Sequence, residues 1–259
     1  MLDVSINQLI SGFGQIWWPF LRIGSMLMLM PILNGVSMPV QIRVIFTFTI
    51  CIIVFPLMPE MPIFDPLSLT AVIFAIQEIL IGFLFALSFE ILFSVFLTMG
   101  QILATQLGLS MSIMNDPVNG ISSASIGKYY QLYVFLIFLA LDGHLIALDI
   151  IVNSYSVWGV GSIPSNIALS NIVNNFSWML CSATLLALPA IISMLIVNIA
   201  FGVMNRASPQ LNIFSLGFPM TMILGLISLL ITVSGISDNF IKLFHELIEK
   251  LSTLEVLVL

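Results

Sequence analysis

Residues 68–105 are almost wholly apolar, with Gln77, Glu78 and Glu90 as their main interruptions. The stretch is longer than the roughly 20 residues that one perpendicular crossing of a bilayer core needs. It predicts either one long tilted helix or a helix that bends inward. Such a run restricts the fold sharply. In an apolar medium every backbone N–H and C=O must be satisfied within the structure, which leaves helices as the simplest solution. Further apolar runs cover residues 9–33, 44–58, 129–158, 179–201 and 221–233. Of the 259 residues, 60% are hydrophobic and 7% charged, where about a quarter charged is usual for a soluble domain. The expected fold is therefore all-α: a polytopic membrane-type protein of helical hairpins, with about six long hydrophobic helices and a C-terminal amphipathic helix.

Ionisable and amide side chains inside such runs are costly in lipid and normally point into a bundle or a wet cavity. Arg22 lies in the first run, close to Trp17, Trp18 and Pro19. It is expected to face protein, a pore or a headgroup, or to snorkel to the interface. Gln77 and Glu78 stand about 3.3 turns before Glu90 and share no face closely with it. A structural hydrogen bond inside an assembly and a proton relay both stand open for these groups. Asp142, His144 and Asp149 break the run 129–158, but their spacings fit no common helix face. They read as a helix-end polar cluster or as a weak acid–base or metal site.

The polar breaks carry more information than the runs. Residues 202–220 separate two long apolar runs, and Pro209 should end the incoming helix. Ser208 and Asn212 can bond free backbone groups at the turn, and Gly217 with Pro219 marks a kink beyond it. Asn205, Arg206, Ser208, Pro209, Gln210 and Asn212 thus form a tight polar elbow. Its tip meets a partner, or it is an ordinary cytoplasmic loop whose arginine sets topology. Residues 106–128 are rich in Gly, Ser, Asn, Asp and Pro, with Met111, Ile113 and Met114 interleaved. A loop of that length is either functional or a mobile surface segment. Residues 56–67 carry four prolines and two acids, excluding a regular helix. Residues 159–175 read as a loop.

The tail opens on Ser237 and Asp238, a good N-cap pair. Phe240, Leu243, Phe244, Leu247, Ile248 and Leu251 then line one helical face, with Lys242, His245, Glu246, Glu249 and Lys250 on the other. This helix is expected to lie against a partner or the membrane interface. Six spans are the simplest count. Arg43, Lys128 and Arg206 then fall on one side if both termini are outside.

Several function classes drop out. No GxSxG, HExxH, Walker A or dinucleotide-binding constellation is present, and no nucleophile–base pair is visible. No catalytic residue, metal site or cofactor is expected. The net charge of −6, with no cluster of Lys or Arg, argues against nucleic acid. Cys51 and Cys181 lack CxxC spacing and read as small buried residues. The first segment has no basic n-region, so a cleaved signal peptide is not expected. Pro19 and Pro189 do not sit in matching surroundings, as the halves of a secondary transporter would place them.

Residues 205–220, NRASPQLNIFSLGFPM, resemble the signature of the FliR family of flagellar biosynthetic proteins, which includes export-apparatus proteins of virulence type III secretion. Ordered along the chain, Trp18, Pro19, Leu21, Arg22, Pro31, Pro39, Gln77, Glu78, Leu80, Ile81, Gly82, the segment QLGLS at 106–110, Asp116, Pro117, Gly143, His144 and Leu145 are similar to that family too. The resemblance implies one subunit of the type III export gate, alongside FliP, FliQ and FlhB, in the bacterial inner membrane and flagellar basal body. It implies a single export-gate domain over 1–259, with a FliP-like part at 1–175 and a FliQ-like hairpin plus C-terminal helix at 176–259. Part of such an assembly lies on the periplasmic side, so membrane-like helices can be buried in protein instead of lipid. The family's pore-closing plug loop maps onto 106–120, with Gln106, Gly108, Ser110, Met111, Ile113, Met114, Asn115, Asp116, Pro117 and Gly120. Its FlhB-contacting elbow maps onto Arg206 to Asn212. The function implied is a structural and gating subunit for unfolded substrate proteins. From residues alone, a stand-alone transporter of small solutes or ions is the alternative, supported by Glu78, Glu90, Asp142 and Asp149 in apolar runs.

Overall fold

A computed structural model of the chain describes residues 6–30, 39–59, 61–62, 68–108, 124–162, 166–207 and 213–256. Among them run eight α-helices: α1 Ile6–Leu29, α2 Val40–Val54, α3 Leu69–Gln106, α4 Ala124–Ala140, α5 Gly143–Val157, α6 Asn166–Ala207, α7 Ile213–Ser234 and α8 Ile236–Val256. A short 3-10 turn, Phe55–Leu57, follows α2. The described residues contain no strand, and the all-α expectation holds.

Local chemistry explains the helix ends. Pro39 precedes α2 with φ −56 and ψ 142, and its carbonyl accepts the Ile42 N–H at 3.0 Å. A proline there gives up no helical hydrogen bond. Ser68 starts α3: its Oγ accepts the Ala71 N–H at 3.2 Å, the bond an N-cap serine makes. At the far end Gly108 adopts φ 74, the left-handed conformation with which glycine terminates helices. The run 68–105 is one helix of 38 residues, about 57 Å long at 1.5 Å per residue.

Several expectations need correction. The run 129–158 is two helices, because Asp142 takes a left-handed φ of 54 and the chain bends by 72° there. Asp tolerates that conformation better than most residues, and Gly143 next to it has no Cβ to strike the Phe138 ring. Part of the predicted loop 159–175 belongs to α6, which starts at Asn166, and α4 begins at Ala124 inside the predicted loop 106–128. Short polar residues are only weakly unfavourable near a helix start, and context overrides them. The tail helix begins at Ile236, so Ser237 and Asp238 sit in its first turn rather than capping it. A carboxylate there still suits the helix dipole. The number of long helices agrees roughly with the six expected: three described helices are long and apolar enough to cross a membrane, or up to five if the bent pairs α4/α5 and α7/α8 each count as one span.

The chain divides into two interleaved units, Met1–Ile91 with Phe138–Asn175 and Leu247–Leu259, and Leu92–Ile137 with Phe176–Glu246. In the first, Trp18, Met61, Ala71 and Tyr155 form a buried cluster edged by Leu21, Met58, Phe74, Ala75 and Val160. In the second, Phe240 of α8 stacks with Phe93 at 6.4 Å and Phe244 at 5.7 Å, and tilts against Phe96 at 5.9 Å. Buried Phe240, Phe244, Leu247 and Leu251 show that the apolar stripe of α8 is covered by this chain itself.

Candidate functional site

In the first unit an arginine is completely buried. Arg22, on α1, has 0% exposure, as does Glu78 on α3. Placing a guanidinium there unpaired would be strongly unfavourable, so its contacts decide whether the arrangement stands. Nε donates to Glu78 Oε2 at 2.7 Å and Nη2 to Glu78 Oε1 at 2.9 Å, a bidentate pair. Nη1 donates to Ser154 Oγ at 3.0 Å and Nη2 to the Trp158 carbonyl at 2.8 Å. The guanidinium carbon lies 3.7 Å from the centre of the Tyr155 ring, a cation–π geometry. The Tyr155 hydroxyl donates to Glu78 Oε2 at 3.0 Å.

The elements explain the convergence. Trp158 is the C-cap of α5, where unpaired carbonyls and the negative end of the helix dipole favour a cation. Ser154 lies one turn earlier on the same face and donates its own hydroxyl hydrogen bond to the Ile151 carbonyl at 2.6 Å. Gly82 follows Glu78 by one turn of α3. A Cβ there would run into Ser25 Oγ and the Arg22 carbonyl, so glycine lets α1 and α3 approach where the ion pair forms. The fork of the arginine thus ties α1, α3 and the end of α5 together. Both Glu78 oxygens are occupied by fixed donors. Bidentate geometry and full satisfaction are the conditions under which a buried pair specifies an arrangement.

The other sequence-predicted residues lie apart from this centre or outside the described residues. Gln77 and Glu90 are half-exposed on α3, and the Gln77 Oε1 is buried with no hydrogen-bond partner among the described residues. Neither joins the Arg22–Glu78 pair. Gln106 closes α3 and Gly108 follows it in the left-handed turn. Ser110, Met111, Ile113, Met114, Asn115, Asp116, Pro117 and Gly120 lie outside the described residues, as do Ser208, Pro209, Gln210 and Asn212. Asn205 and Arg206 occupy the last turn of α6, with Arg206 exposed. A basic residue at a helix C-terminus suits the dipole. No group of three or more His, Cys, Asp or Glu among the described residues has a metal-holding arrangement. Cys51 is buried as expected, but Cys181 is exposed.

Sequence reasoning did not find Ser154, Tyr155 and Trp158. It also kept Arg22 and Glu78 apart, weighing the first against lipid headgroups and the second against proton transfer. The signal available was their opposite charge: two uncompensated charges deep in apolar runs find each other more cheaply than either finds water.

Comparison with known proteins extends from these residues to the whole chain. The family described as "Bacterial export proteins, family 1" matches residues 13–247. The flagellar biosynthetic protein FliR of Escherichia coli (strain K12) is 30% identical over 256 residues, covering 97% of each chain. The protein of that name from Bacillus subtilis (strain 168) is 25% identical over 257 residues, covering 98% of this chain and 99% of its own. The surface presentation of antigens protein SpaR of Shigella flexneri is 28% identical over 168 residues, 65% of each chain.

Proposed function

The chain belongs to the bacterial export proteins, family 1, and from that premise we propose that it is a structural and gating subunit of the flagellar type III export gate. The observation that carries this reading is the match to FliR over 97% of both chains. Its place is the bacterial inner membrane within the flagellar basal body, with part of the assembly on the periplasmic side. FliP and FliQ are the neighbours proposed in the hetero-oligomer, with residues 1–175 FliP-like and 176–259 FliQ-like. FlhB meets the elbow from Asn205 to Asn212, and unfolded export substrates are the cargo. The segment from Gln106 to Gly120 acts as the plug.

The surface supports an assembled state. Large apolar side chains are exposed along α2, the first half of α3, α6 and α7, among them Ile45, Phe48, Ile73, Leu195 and Leu230. Surface of that kind needs cover from lipid or sister subunits. The closed Arg22–Glu78 pair counts against a stand-alone ion transporter, since Glu78 is the carboxylate best placed for one and is already engaged. The role is non-enzymatic in this reading.

The test is co-purification in mild detergent with the neighbouring export proteins, with the mass measured. A stable hetero-oligomer is expected; a monomer or homodimer would point back to a transporter. For the plug, deleting residues 110–120 should leave the complex assembled but leaky to small dyes. Permeability equal to wild type in an assembled complex would return the stretch to a passive loop.

A further inference from the structure

Two apolar helix pairs are sharply bent at a short break: α4 with α5, by 72°, and α7 with α8, by 52°. The two limbs of each pair expose different chemistry. After its first turns α4 exposes Tyr129, Leu132, Leu136 and Leu139. Beyond the bend, α5 exposes Leu145, Asp149, Asn153 and Ser156. These follow one another by one helical turn each and so form a single stripe, opposite the buried Ala147, Ile151, Ser154 and Tyr155. The second pair repeats the change. From Met220 on, α7 exposes Ile223, Leu226, Ile227, Leu230 and Ile231. After Gly235, α8 exposes Asp238, Lys242, His245, Glu249 and Ser252, again one turn apart.

A carboxylate pointing outward from a helix in hydrocarbon is strongly disfavoured, while outward Leu and Ile are favoured there. The exposed side chains therefore report the surroundings of each limb. We infer that the bends at Asp142 and Gly235 are where this chain passes from apolar cover into water. On this assignment α5 and α8 carry water-facing stripes, and neither pair is one continuous membrane span. The bend residues suit that change. Asp142 is itself exposed, and the Gly235 carbonyl accepts the Asn239 N–H at 3.2 Å to start α8 without a side-chain cap. The inference rests on the membrane-type fold and not on the gating role.

The experiment places single cysteines in a chain carrying Cys181→Ser and retaining the buried Cys51. Asn153→Cys and Ser156→Cys probe α5, Lys242→Cys and Glu249→Cys probe α8. Leu132→Cys, Leu136→Cys, Ile223→Cys and Leu230→Cys probe the first limbs. A charged, membrane-impermeant maleimide is applied to the complex assembled in open membrane sheets. The α5 and α8 positions should react at least about tenfold faster, because apolar surroundings raise a thiol's pKa and each unit removes tenfold of the thiolate. Equal rates in the two limbs would overturn the inference. So would α5 and α8 positions that react in the isolated chain but are silent in the complex, since sister subunits would then cover them. A charge probe guards against variants that do not assemble. Leu136→Asp should sharply reduce the inserted chain and Ser156→Asp should leave it unchanged; equal loss from both would again overturn the assignment. Co-purification reports separately whether the gate reading stands.

Discussion

The two units of this chain position their helices by different physics. In the first, the Arg22–Glu78 pair and its bonds to Ser154, Tyr155 and Trp158 give directional, charge-assisted links. In the second, described contacts are dominated by shape. Gly100 packs on Gly127 so closely that an added Cβ would lie 2.6 Å from the partner Cα. Phe240 stacks with Phe93 and Phe244 and tilts against Phe96, and Leu107 fills the space left by the missing side chain of Gly225. One polar contact described there is long: Tyr130 reaches the Leu229 carbonyl at 3.5 Å. A polar network allows few geometries and fails abruptly when one member is lost. Close packing around glycines fails in proportion to the volume introduced.

Substitutions can break that contrast. The largest effect is expected from Glu78→Leu, which leaves Arg22 buried and unpaired at a cost of about 3–5 kcal/mol. Thermal unfolding in mild detergent should show a large fall in midpoint or no folded chain at all. The double variant Arg22→Met with Glu78→Leu should recover most of that loss, since an apolar pair of similar volume is often neutral or better. Failure of the double variant to recover would mean that the network does more than hold helices. Next comes Gly100→Val in the second unit. Its side chain meets the Gly127 backbone and the Tyr130 ring, for an expected loss of about 1–3 kcal/mol. An effect as abrupt as that of Glu78→Leu would erase the distinction between the units. The smallest effect is expected from Tyr155→Phe, about 1 kcal/mol, because Arg22 Nε still satisfies Glu78 Oε2.

How much of this was legible in the sequence follows from the same division. Apolar runs dictate helices because the backbone has no other partner in hydrocarbon, so α1, α2, α3, α6 and α7 were readable from composition. The break at Asp142 was not, because an aspartate between Leu141 and Gly143 signals polarity more plainly than a left-handed turn. The start of α6 at Asn166 was hidden by residues whose helix preference is weakly negative and easily overridden. Arg22 and Glu78 were recognised singly as anomalies in apolar surroundings. Their pairing was not, since 56 residues separate them and spacing carries no information at that distance. Ser154, Tyr155 and Trp158 gave no signal, because nothing in a stretch of ordinary helix residues marks which face meets a charge.

The interleaving of the two units has a consequence for how the chain is made. Arg22 leaves the ribosome well before Glu78, and Ser154 follows 132 residues after Arg22. At roughly 5–20 residues per second, the arginine waits about 3–11 s for its carboxylate and about 7–26 s for the serine. Through that interval the charge has no intramolecular home, and the first helix must keep it near water or a headgroup. The segment Leu247–Leu259 of the first unit follows the whole of the second. Biosynthesis therefore cannot finish one half before starting the other. A chain halted after Glu246 would lack the closing segment of the unit that began it.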